Sequence, residues 1–130
     1  GERETLISGT IDLSQMASAS FSFKYAYAQV GNSIDKVRLS FSSDCGETWS
    51  LGWLGIASIM TTASSTSSAF IPSSSQWNTQ TLASISGGLL NEGFMYKFEL
   101  ESDSGNHAID VITIGAFLIL GYIFKRLYFN

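Results

Sequence analysis

The chain reads as an all-β protein, built as an antiparallel β-sandwich. Three observations predict this. Short segments of strict alternation recur along its 130 residues. No segment sustains a helical period. The composition is aromatic and hydroxyl-rich, with nine Phe, five Tyr and three Trp among abundant Ser and Thr. Hydrophobic residues reach 45% and charged residues only 14%, which suits one domain with a real core.

The elements follow in order. Residues 6–11 form a first strand, closed by the turn-like Asp12-Leu13-Ser14. Residues 20–27 alternate strictly, with Phe21, Phe23, Tyr25 and Tyr27 inward and Ser20, Ser22, Lys24 and Ala26 outward. Val37, Leu39 and Phe41 repeat the pattern against Lys36, Arg38 and Ser40. Residues 77–82 make a further strand. Phe94, Tyr96, Phe98 and Leu100 alternate with Met95, Lys97, Glu99 and Glu101, and residues 109–114 form the last strand. Phe21, Phe23, Val37, Leu39, Phe98 and Leu100 are the expected core, because each lies on the apolar face of an alternating strand. Gly31-Asn32-Ser33 and Gly87-Gly88 can supply positive φ, and residues 103–106 can close a hairpin. The Ser/Thr-rich residues 61–76 are expected to be tacked onto the core by Phe70, Ile71 and Trp77.

Between the strand of Val37, Leu39 and Phe41 and its return lies Ser42-Ser43-Asp44-Cys45-Gly46-Glu47-Thr48-Trp49. Asp44 can fold its carboxylate onto turn N–H groups, and Gly46 can adopt the positive φ that other residues resist. Thr48 and Trp49 are β-formers and are expected to open the returning strand. Ser42, Asp44, Gly46, Thr48 and Trp49 are thus structural turn residues. Their spacing resembles the Asp-box hairpin of secreted β-proteins such as sialidases, a motif that shapes a turn rather than a catalytic site.

A wider resemblance emerges from segment order. Thr10-Ile11-Asp12-Leu13-Ser14 precedes the alternating run from Ala19 to Gln29. The Asp35 strand and the Asp44 turn follow, then Ile71-Pro72-Ser73-Ser74-Ser75-Gln76-Trp77-Asn78-Thr79, and last Ala108-Ile109-Asp110-Val111-Ile112-Thr113-Ile114. This order resembles the jelly-roll accessory domains that follow M43-type (pappalysin-like) metalloproteases of Bacteroidetes-type bacteria. Cleaved-adhesin and MAM-like domains are more distant cousins. The resemblance implies a jelly roll, often called galactose-binding-like, over residues 1–114. It also implies a secreted or cell-surface setting, and the chain, which shows no signal peptide, reads as a piece of a longer precursor. It does not imply protease activity, since His-Glu-x-x-His is absent from the sequence. Asp110 is followed by Val111 where the family usually has a second Asp or Asn, which departs from the metal pattern of its cousins.

The chemistry points to a binding module rather than an enzyme. His107 is the sole histidine and falls in an expected turn. A small hydrolase would need Glu99, Glu101 and His107 together, against the simpler reading of Glu99 and Glu101 as a solvated strand face. Trp53, flanked by Gly52 and Gly55, is the freest of the three tryptophans and the candidate ligand-binding residue, for carbohydrate or protein. No cofactor is required. Asp110, Asp35 and Glu4 are the candidates for a structural calcium. Cys45 is the single cysteine, so no internal disulfide or Cys-x-x-Cys site exists. The net charge of −4, with Lys125-Arg126 as the one basic pair, argues against a nucleic-acid partner. Residues 111–124 carry no charge, but a spanning helix needs about 20 apolar residues, so a membrane span is not expected. Residues 115–130 are instead an apolar extension, expected to pack on the sandwich or on a second copy as a homodimer. A purely structural spacer is the alternative to the binding role.

Overall fold

The computed structural model describes residues 3–29, 31–32, 34–65 and 70–101. The expectations for residues 103–106, His107, Asp110, the strand at 109–114 and the extension at 115–130 lie outside them. Among the described residues the protein is almost entirely β. Six strands run in order: β1 (Arg3–Ile7), β2 (Phe21–Tyr25), β3 (Lys36–Ser42), β4 (Ser50–Ile56), β5 (Asn78–Leu82) and β6 (Met95–Glu101). One helical turn, α1 (Ala57–Met60), and two short 3₁₀ turns complete the set. No helix among the described residues is long and apolar enough to cross a membrane.

All pairings among the described strands are antiparallel. One sheet has the order β1-β6-β3-β4, and the other pairs β2 with β5. Alternation decides how they meet. On β6, Tyr96, Phe98 and Leu100 are buried while Met95, Lys97, Glu99 and Glu101 are half-buried on the other face. Phe21 and Phe23 of β2 face them across the core. The Phe21 ring lies 5.0 Å from Tyr96 and 5.3 Å from Phe41, and Phe23 lies 5.1 Å from Phe98, all edge-on. Such tilted ring pairs are favourable beyond the area they bury. All six expected core residues are buried. A smaller cluster of Ala26, Ala28 and Phe70 packs with Ala63 and Trp77, so Phe70 and Trp77 do tie the Ser/Thr-rich segment down.

Several expectations need correction. The first strand ends at Ile7, not at Ile11. Its register with β6 slips by one residue before Ile11 meets Phe94 as an isolated bridge, so the pairing is interrupted around Gly9. Alternation in the second strand stops at Tyr25, where Ala26, Tyr27 and Ala28 are all buried. The chain there leaves β5 and bonds instead to Thr62, whose N–H donates to the Tyr27 carbonyl at 2.9 Å and whose Oγ1 accepts from the Tyr27 N–H at 2.9 Å. Ile71 is 86% exposed and anchors nothing. Gly87 and Gly88 form a 3₁₀ turn at negative φ; among the described residues the positive-φ glycines are Gly31 and Gly46. Thr48 and Trp49 stay within the turn, and the returning strand begins at Ser50.

Candidate functional site

The Asp44 turn is a closed hydrogen-bond unit. The Thr48 N–H and hydroxyl both donate to the Asp44 carboxylate, at 2.8 and 2.5 Å. The Ser42 hydroxyl donates to Asp44 Oδ1 at 2.7 Å and accepts the N–H groups of Asp44 and Gly46. These donors favour the ionised carboxylate. The Thr48 hydroxyl contributes most, and together they hold the Asp44 pKa down to about 2. Trp49 closes the turn by donating its indole N–H to the Gly46 carbonyl at 3.0 Å, and Lys97 sits over its ring at 4.5 Å. Asp44 thus accepts three hydrogen bonds from within the turn, two on Oδ1 and one on Oδ2. Two features escaped the sequence reading. Cys45 also adopts positive φ, at 59°. Gly93 lies so close to the turn that a Cβ there would be 2.7 Å from the Ser43 carbonyl oxygen, while its own carbonyl accepts the Cys45 N–H.

Trp53 lies half-buried against the core. Its ring meets Phe23 edge-on at 5.0 Å and Tyr25 at 5.9 Å. The neighbouring glycine explains the placement: a Cβ on Gly55 would overlap the Trp53 ring and the Met60 side chain. The glycine admits the ring to the core instead of leaving it free as a platform. Around it remains a void of about 10 Å³, bounded by Phe23, Tyr27 and Met60, too small for a ligand.

The calcium candidates take different environments. Asp35 is fully buried and accepts the Tyr27 hydroxyl at 2.5 Å, while its carbonyl accepts the Ala57 N–H. Glu4 is exposed on the edge strand β1, opposite Leu100. Among the described residues no group of three or more His, Cys, Asp or Glu is arranged to hold a metal ion.

The carboxylates of β6 are engaged in ion pairs. Glu99 pairs with Lys97 at 3.3 Å. Glu101 meets Arg38 at 2.9 Å and Arg3 at 3.2 Å. The Arg38 hydrogen bond, before the other nearby cations, lowers the Glu101 pKa.

A cleft of about 210 Å³ opens beside β4. Phe41, Leu82, Ile85 and Leu89 supply apolar lining, Ser50, Leu51 and Gly52 form one wall, and Ser84 and Ser86 add hydroxyls. None of these residues is titratable. Gly52 is needed here, since a Cβ would lie 2.5 Å from the Phe41 ring. No sequence signal singled the cleft out. It joins β4 to the segment after β5, and only the fold brings those together. No protein-family model, curated protein or solved structure matches the chain.

Proposed function

We propose that the chain is a non-catalytic binding module, a galactose-binding-like jelly roll serving a secreted or cell-surface protein, which holds an uncharged ligand in the cleft beside β4. One observation carries this reading: the cleft combines apolar lining with three serines and has no group able to transfer a proton or attack a bond near neutral pH. The ion pairs of Glu99 and Glu101 count against the hydrolase reading.

Between the two ligand classes, protein is favoured over carbohydrate. Sugar sites draw on open aromatic faces and on planar amide or carboxylate groups. Here Trp53 packs into the core, and the cleft offers hydroxyls and main chain. No cofactor enters this role. The test is a paired screen of the full chain against a neutral glycan array and a displayed library of uncharged peptides, repeated with Ser84→Trp to fill the cleft from an exposed position. Peptide binding that disappears in Ser84→Trp, at an unchanged melting midpoint, is the expected result. Binding that survives the filled cleft would refute the site, and no ligand in either screen would leave the spacer reading.

A further inference from the structure

We propose that the edge of β4 beside the cleft, unpaired among the described residues, is a strand-addition site, taking an extended, uncharged peptide segment that seats one large apolar side chain in the cleft. The inference rests on the binding-module reading and specifies how the ligand is held.

The two edges of the four-stranded sheet are treated differently. The β1 edge carries Arg3 and Glu4, and Arg3 is tied to Glu101. Charges of this kind keep stray strands from pairing. The β4 edge reads Ser-Leu-Gly-Trp-Leu-Gly-Ile, with neither a charge nor a proline. Among the described residues it pairs with β3 alone, and no other main-chain bond reaches residues 50–56. Leu51 is 60% and Leu54 41% exposed on this strand. At its far end Gly55 is buried beneath Trp53 and Met60, and α1 begins at Ala57, so the usable stretch is short.

Edge and cleft are continuous, because Ser50, Leu51 and Gly52 belong to both. A strand laid along them would gain main-chain hydrogen bonds from β4 and present alternate side chains to the cleft. The cleft is uncharged, so a charged side chain there would lose its hydration without gaining a partner. Neutrality of edge and cleft together defines the partner's chemistry.

The test titrates the isotope-labelled full chain with the acetylated, amidated heptapeptide Thr-Val-Thr-Leu-Thr-Val-Thr, followed by amide NMR. Shifts centred on residues 50–54 and 84–86 are expected. N-methylation at any single position of one alternate set of peptide residues should weaken binding about tenfold, the factor that one lost main-chain hydrogen bond corresponds to. N-methylation at the intervening set should leave it unchanged, and Lys for the central Leu should abolish it. Equal effects of both N-methyl sets, shifts elsewhere, or a second copy occupying the β4 edge as protein concentration rises would each overturn strand addition. Failure of every peptide, with neutral glycans shifting Ser84 and Ser86, would overturn it while leaving the binding module. Failure of both ligand classes would overturn both readings.

Discussion

At the scale of single residues, the Asp44 turn shows how a side chain replaces backbone pairing. Its carboxylate and the Ser42 hydroxyl receive N–H groups that a seven-residue connection cannot pair in a ladder. Asp44→Ala should therefore lower the unfolding midpoint, measured by thermal or chemical denaturation. The pH dependence has a definite sign. The folded pKa is about 2 against an ordinary 3.8, so the Asp44 contribution is complete above the ordinary value and fades as pH falls towards 2. Asp44→Asn should flatten that acid limb of the stability curve; an unchanged slope would contradict the hydrogen-bond account. A second residue works against the fold. The Tyr96 hydroxyl is buried with no hydrogen-bond partner among the described residues, and burial pushes its pKa up to about 12. Tyr96→Phe removes that unmet group while keeping the ring, so denaturant unfolding should show a gain of about 1 kcal/mol. Neither outcome depends on a ligand.

At the scale of elements, alternation told which faces are buried wherever strands are long and regular, as in Phe21 to Tyr25 and Met95 to Leu100. It failed where an element ends for tertiary reasons. Nothing in the run through Ala26 and Tyr27 announces that Thr62 will take over as partner. The glycines divide the same way. Gly46 was legible because a local turn demands positive φ, whereas Gly52 and Gly93 owe their identity to the Phe41 ring and the Ser43 carbonyl on other segments, and Gly55 to the folding of the Trp53 ring and the Met60 side chain over it. The Gly-Trp-Leu-Gly stretch misled for this reason, suggesting an open Trp53 where glycine in fact admits the ring. Gly93→Ala should destabilise by about 1–3 kcal/mol through crowding against the backbone of the Asp44 turn. Equilibrium unfolding checks this, and a neutral result would mean that the turn moves freely relative to β6. Leu39→Ala, in a strand paired on both sides, should cost about 2–5 kcal/mol by the cavity it leaves.

At the scale of the whole molecule, two sheets enclose one aromatic core, and the surface sorts into a charged face and a neutral edge. Lys97, Glu99, Arg38 and Glu101 pair with one another across β6 and β3, so their charges are spent locally and screened by salt. The β4 edge has no such cover among the described residues, and the cleft opens beside it. The all-β class was legible from the sequence because period-two alternation is local. The cleft was not, because it arises from the meeting of β4 with residues 82–89. The measurement that bears most directly on the central claim is amide hydrogen exchange of the free protein, resolved residue by residue. β3 and β6, each paired on both sides, should exchange slowest. The edge-facing amides among residues 50–54 should exchange fast and become protected when the peptide is added. Protection of those amides equal to that of β3 in the free protein would mean that the edge is already covered, and would contradict the account.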